Sequence, residues 1–174
     1  MLNILSAHMG DDFNRLSPLL RFAHTGTKTL EGKVSVKRGG KLASLICTIF
    51  GFPVENPETH LIVECSHFSD RMEWVRYFDG FKMSSSFIAE SHCLVEKLGP
   101  LALSFKAIAN GGTLEYRFDR TKLFGVPVPS IFSPKIIAYE QETDGRYQFF
   151  VSVHMLVVGL VLSYCGDLKI SEIL

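Results

Sequence analysis

From Glu73 to Phe87 the chain reads EWVRYFDGFKMSSSF, with apolar and polar positions alternating on either side of a central Asp79-Gly80 pair. Both central residues of a type I′ turn need positive φ, which Asp-Gly tolerates well, so this stretch is predicted to be a β-hairpin. The turn sets a register with Phe78 opposite Phe81, Arg76 opposite Met83 and Trp74 opposite Ser85. Side chains alternate faces along a strand, so Trp74, Arg76, Phe78, Phe81, Met83, Ser85 and Phe87 share one face, apolar except for the arginine. Glu73, Val75, Tyr77, Lys82, Ser84 and Ser86 share the other, a wet or half-wet surface. Arg76 is therefore expected to point inward.

The same reading extends along the chain. Asp11 to His24 is predicted to be a short helix capped by Asp11 or Asp12, with Phe13, Leu16, Leu19, Leu20 and Phe22 apolar and Pro18 limiting its regularity. Thr29 to Lys37 alternates as a strand and stops at Arg38-Gly39-Gly40. Lys41 to Phe50 places Leu42, Leu45, Ile46, Ile49 and Phe50 at helical spacing before Gly51 and Pro53, and so apolar a helix is expected to be covered. Beyond Pro57 nearly everything reads as antiparallel strand: His60 to Phe68, the hairpin with its second arm extended by Ile88 to Leu98, and Leu101 to Ala109. A return strand brings Leu114, Tyr116 and Phe118 inward. The prolines of Phe124 to Pro134 forbid a central strand and suggest a covering loop. A last hairpin at Asp144-Gly145 puts Ile136, Ala138, Glu140 and Glu142 on the face of Tyr147, Phe149, Val151 and Val153, which makes Glu140 an embedded acid. Leu160 to Tyr164 completes the sheet, with Gly159 as a kink and Gly166 as its end.

The predicted fold is mainly β (α+β) and a single domain over 1–174. It is one strongly curved antiparallel sheet or lipocalin-like barrel of about eight to nine strands, with two N-terminal helices, since long sheets coil or close rather than leave bare edges. A helix-grip (START-like) fold is the alternative.

Composition refines this picture. A chain of 174 residues, 47% hydrophobic, suits one domain with a sizeable core. Eighteen basic and eighteen acidic residues cancel, so no footprint for nucleic acid or an anionic membrane stands out. The N-terminal MLNILSAHMGDDF is a poor secretory signal, which makes a cytoplasmic location the default. Phe149 to Tyr164 is too short for a membrane span and carries Ser152, His154 and Gly159. Cys47, Cys65, Cys93 and Cys165 lack C-x-x-C spacing and are read as reduced and mostly buried. A mean hydropathy of +0.19 implies a large core, an apolar cavity or a sticky surface.

Arg76 carries the most pointed chemistry. Its guanidinium either stacks on Trp74 or pairs with an acid as a structural residue, or it anchors the carboxylate or phosphate of an amphipathic ligand inside a barrel. Trp74, Phe78, Phe81, Met83, Phe87, Phe105, Tyr116 and Phe149 would line such a site. An inward Glu140 is a candidate partner for Arg76, and their pairing would leave the anion site occupied. Other signals are weak. Arg38-Gly39-Gly40-Lys41 lacks P-loop spacing, and no G-x-G-x-x-G follows a strand, so no nucleotide cofactor is indicated. Cys65-x-His67 and His92-Cys93 are metal-binding types at spacings that rarely converge on zinc. Ser84, Ser85 and Ser86 have no evident base, and among the histidines only His24 and His92 stay on a catalytic short list. With no complete acid, base and nucleophile set, an enzyme ranks behind a binding module.

Several segments together resemble a bacterial family, domain of unknown function 4166, found alone or fused behind a saccharopine-dehydrogenase-like NAD-binding domain. The resemblance runs from Leu20 to Leu168. It rests on VKRG (Val36–Gly39), WVRYF (Trp74–Phe78), SSSF (Ser84–Phe87), VEKLGPLALSF (Val95–Phe105), FGVPVP (Phe124–Pro129), SPKIIAYE (Ser133–Glu140), DGRYQF (Asp144–Phe149) and VVGLVLSYCGDL (Val157–Leu168). Val128 and Cys165 depart from the expected Leu and Arg. The resemblance brings no reaction. It implies a compact module able to work beside an oxidoreductase domain, so a dry-core module docking on a dehydrogenase-like partner stands as the second expectation, after a barrel holding a small hydrophobic or amphipathic ligand.

Overall fold

The computed structural model describes residues 3–172; Met1 and Leu2, within the segment read above as a poor signal, lie outside that range, as do residues 173–174. The N-terminal segment forms α1 (Ile4–Met9), a 3-10 turn (Gly10–Arg15) and α2 (Pro18–Ala23). Strand β1 (Thr27–Arg38) leads into α3 (Lys41–Ile49), then β2 (Asn56–His67), β3 (Arg71–Phe78), β4 (Phe81–Glu90), β5 (Cys93–Leu98), β6 (Leu101–Asn110) and β7 (Thr113–Leu123). After the two-residue β8 (Val126–Pro127) come β9 (Lys135–Thr143), β10 (Arg146–Met155) and β11 (Gly159–Glu172).

Each long strand pairs antiparallel with the next, β7 passes to β9, and β11 returns to β1. Ten strands thus close an up-and-down barrel, and β8 adds an eleventh at the margin of β7. Closure leaves no long edge with bare N–H and C=O groups. It also ends the helix-grip alternative, because α3, the longest described helix, has 9 residues and the sheet wraps around no helix.

The two Asp-Gly hairpins take the expected register, with positive φ at Asp79, Gly80, Asp144 and Gly145. Four local expectations are corrected. The helix expected from Asp11 to His24 is interrupted: Pro18 has no N–H to donate to a preceding turn, so it starts α2, with the Ser17 hydroxyl accepting from Leu20 N–H. The Ile88–Leu98 arm is two strands, because Ser91 adopts φ +55° and turns the chain between β4 and β5. An irregularity in β7 lets Phe118 and Arg120 pair with the consecutive residues Phe105 and Ser104, leaving Asp119 as the extra residue. Beyond this bulge the inward positions shift to Thr121 and Leu123. Gly166 does not end β11, which continues to Glu172. A Cβ on Gly166 would lie 2.6 Å from the Lys33 carbonyl oxygen, so this glycine permits the close crossing of β11 over β1.

The ends of the barrel differ. At one end α1, the 3-10 turn and α2 bury Leu5, Leu16 and Leu20 against Met72, Leu94 and Leu114. There β5 stops short beside β6, and α1 fills the gap, with His8 Nε2 accepting from Ala107 N–H at 3.4 Å. At the other end lie α3, the Phe124–Pro134 loop and the Met155–Gly159 turn. Helix α3 seats Ala43 and Cys47 on β11 but leaves Leu42, Leu45 and Ile49 exposed, contrary to the expectation that it would be covered.

Candidate functional site

The barrel is hollow above its helical floor, with a cavity of about 410 Å³. Ala23 and His24, at the end of α2, form the floor. Val63, Trp74, Met83, Phe87, Phe105 and Phe149 are among the wall residues, and Ile46, Phe50, Val128, Phe132 and Met155 surround the mouth. Phe132 lines the cavity and is also 57% exposed, so the space reaches the surface beside the loop that carries it.

Two polar clusters interrupt the apolar wall. Arg76, in β3, points inward as the hairpin pattern requires and is 6% exposed. Its Nη1 donates to Ser85 Oγ at 2.9 Å, its Nη2 to Glu96 Oε1 at 3.4 Å, and its guanidinium lies 4.9 Å from the centroid of Trp74. The candidate pairing of Arg76 with Glu140 does not form. Strands β3 and β9 are separated by β2, β1, β11 and β10, and Glu96 in β5 supplies the counter-charge instead.

Glu140 belongs to the second cluster, with His24, His67 and Tyr116. His67 Nδ1 lies 3.1 Å from the Gly26 carbonyl, so this nitrogen carries the proton and Nε2 accepts. His24 Nδ1, 3.1 Å from that Nε2, therefore donates. The remaining nitrogen, His24 Nε2, is 2.5 Å from Glu140 Oε2, and the two groups share one proton. Tyr116 donates its hydroxyl to Glu140 Oε1 at 3.1 Å. Wherever the shared proton sits, the His24–Glu140 pair has no net charge.

Burial shapes the titration of the neighbours. His67 is pushed down to about 3, first by desolvation and then by the charge of His24, so it stays neutral. The phenols of Tyr116 and Tyr147 are pushed well up by burial, reinforced by the Glu140 carboxylate, and remain donors. The Cys65 thiol, also desolvated, rises to about 12 and donates to the Lys28 carbonyl at 3.4 Å. Among the described residues no three His, Cys, Asp or Glu side chains gather as a metal site. His92 is exposed at the β4–β5 turn, away from His24.

Trp74, Arg76, Met83, Phe87, Phe105, Tyr116, Glu140 and Phe149 line the cavity. Phe78 and Phe81 do not. Phe78 is buried in the wall, edge-on to Tyr164 at 5.7 Å, and Phe81 sits beside the turn, 39% exposed, where the wall has ended. Glu96, Ser85, His67 and Tyr147 join the site without having been anticipated as parts of it. Glu96 was detectable in principle, since it sits between Leu94 and Leu98 as Glu140 sits among apolar alternates, but the missed Ser91 turn removed the register of β5. Trp74 adds the last polar feature: its indole stacks on His24 at 5.8 Å, and its buried Nε1–H has no hydrogen-bond partner among the described residues.

These features define a closed up-and-down β-barrel with a large apolar cavity and two internally compensated polar groups in its wall. The chain belongs to the family described as Domain of unknown function (DUF4166), whose model matches residues 16–168 and so spans α2 and nearly the whole barrel. Comparisons with curated proteins and with solved structures gave no match.

Proposed function

We propose that the barrel binds one small, largely apolar molecule bearing an uncharged polar head. The carrying observation is the cavity of about 410 Å³, within the size range of small-molecule sites, whose inward charges are already neutralised by one another. A carboxylate entering there would be buried beside an arginine committed to Glu96 and a histidine committed to Glu140, and an uncompensated buried charge is costly. A ligand carbonyl or hydroxyl, by contrast, brings no net charge into the apolar wall. Arg76 thus serves as a braced part of the wall rather than as an anion anchor. A space of this size also argues against a dry-core docking module.

The chain has one tryptophan, and it lines the cavity, so intrinsic fluorescence reports occupancy. Protein stripped by organic extraction is titrated with a long-chain alcohol, the matching carboxylate and the matching alkane. The alcohol is expected to bind about tenfold or more tighter than the carboxylate. Tightest binding by the carboxylate would overturn the neutral-head assignment. No binding by any probe, together with no small molecule in the extract, would overturn the ligand reading.

A further inference from the structure

The mouth of the cavity carries an exposed apolar rim that the ligand reading does not use. Leu42, Leu45 and Ile49 of α3 are 52%, 56% and 68% exposed, at positions i, i+3 and i+7 beside the cavity-lining Ile46 and Phe50. Across the mouth, Phe124 and Ile131 of the covering loop are 80% and 52% exposed, and at the β10–β11 turn Leu156 and Val157 are 71% and 73% exposed. Three segments distant in sequence therefore present apolar side chains at one end of the barrel. Among the described residues the helical end exposes Phe22 and Phe68, each at 41%, and its other apolar residues are largely packed inward.

Charge follows the same axis. Strand pairing puts Lys37, Lys41, Lys82, Lys97, Lys122 and Lys135 at or near the open end. The acids there are Glu55, Glu58 and Asp79; Glu58 is engaged by Lys33 at 2.5 Å, and Asp79 accepts from the His60 N–H. The neutral total conceals this excess of lysines, because toward the helical end acids and bases are mixed, Asp12 pairing with Arg15, Asp70 with Arg71 and Glu172 with Lys28.

We propose that the open end docks on an anionic lipid bilayer surface. The exposed side chains of α3, the Phe124–Pro134 loop and the β10–β11 turn enter the interface, and the surrounding lysines meet the headgroups. An apolar rim ringed by like positive charge fits a surface that is apolar within and negative outside. It fits a second copy of the same end poorly, because the lysines would face one another. Docking would place the cavity mouth against the acyl region, a route by which an apolar ligand exchanges without crossing water.

The test is vesicle flotation with the full chain. Vesicles of phosphatidylcholine alone are compared with vesicles containing about 30 mol % phosphatidylglycerol. Binding is expected to be about tenfold or more stronger on the anionic vesicles, to weaken in about 0.5 M salt, and to fall about tenfold or more in the L45E/I49E variant. None of the altered side chains lines the cavity, so the alcohol titration read by Trp74 should be unchanged in L45E/I49E. That control separates failure of docking from failure of ligand binding and shows that the variant is folded. Absence of vesicle binding at low salt, or binding unaffected by L45E/I49E, would overturn the proposal. So would sedimentation showing a stable dimer that L45E/I49E dissociates, which would assign the rim to a second copy.

Discussion

The two polar clusters share one cavity wall but are assembled by opposite means. Arg76 finds Ser85 nine residues away and Glu96 twenty residues away, all within the consecutive strands β3, β4 and β5. His24 meets His67 at a separation of 43 residues and Glu140 at 116, joining α2, β2 and β9 across the closed barrel. The first cluster needs only a local meander to form. The second requires the floor helix, one side of the barrel and the other to be in place together, so its hydrogen bonds measure closure of the whole fold. They differ electrically too: Arg76–Glu96 is a fixed ion pair, whereas the His24 chain is held by the positions of shared protons.

Glu140→Leu should break the long-range cluster most severely, leaving His24 and Tyr116 without their common acceptor. A loss of about 3–5 kcal/mol in urea unfolding is expected. Amide exchange should also accelerate in α2, whose end is tied to the wall through His24. A loss below about 1 kcal/mol, with α2 exchange unchanged, would show that the chain of hydrogen bonds does not hold the floor.

Glu96→Gln applies the same logic to the local cluster, with a smaller cost of about 2–3 kcal/mol. The Arg76–Glu96 contact is longer, at 3.4 Å, and Arg76 keeps both Ser85 and the face of Trp74. This change should also erase much of the preference for the alcohol, because it leaves an uncompensated guanidinium in the cavity wall. Carboxylate affinity is expected to rise about tenfold relative to the alcohol in the Trp74 titration. An unchanged preference would mean that Arg76 is not accessible to the head group.

This contrast explains what could be read from the sequence. The Asp79-Gly80 and Asp144-Gly145 turns each fix a register over two residues, and the alternation that follows correctly turned Arg76 and Glu140 inward. Closure of a mainly β chain was likewise legible from successive strands with apolar faces. The partners of the two inward groups were not. Ser91-His92 has no Gly or Asn to mark its turn, so β5 and Glu96 lost their register. The meeting of His24 with Glu140 depends on how ten strands curve, which periodicity does not specify. The bulge at Asp119 reversed the inward positions of β7 without any glycine to announce it. Even the neutral net charge misled, since it concealed the excess of lysines at the open end of the barrel.

The mildest perturbation addresses the protons of the long-range cluster. In the folded chain His67 is lowered to about 3 from an ordinary value of 6.5, chiefly by desolvation. Between those values the unfolded chain binds a proton that the folded chain does not, so the His67 contribution is fully present above pH 6.5 and is lost as the pH falls toward 3. From pH 6.5 to 5, above the range in which most carboxylates titrate, this linkage should remove on the order of 1–2 kcal/mol of stability. In His67→Gln the amide can still donate toward Gly26 or accept from His24, but it does not titrate. Its absolute stability is expected to be lower, while its decline from pH 6.5 to 5 should be shallower by about that amount. His8, also lowered by burial, is present in both proteins and cancels in the comparison. Parallel declines in urea titrations of the two proteins would mean that His67 takes up its proton without unfolding. The local cluster supplies the internal contrast: the Glu96→Gln variant retains His67 and should keep the wild-type slope.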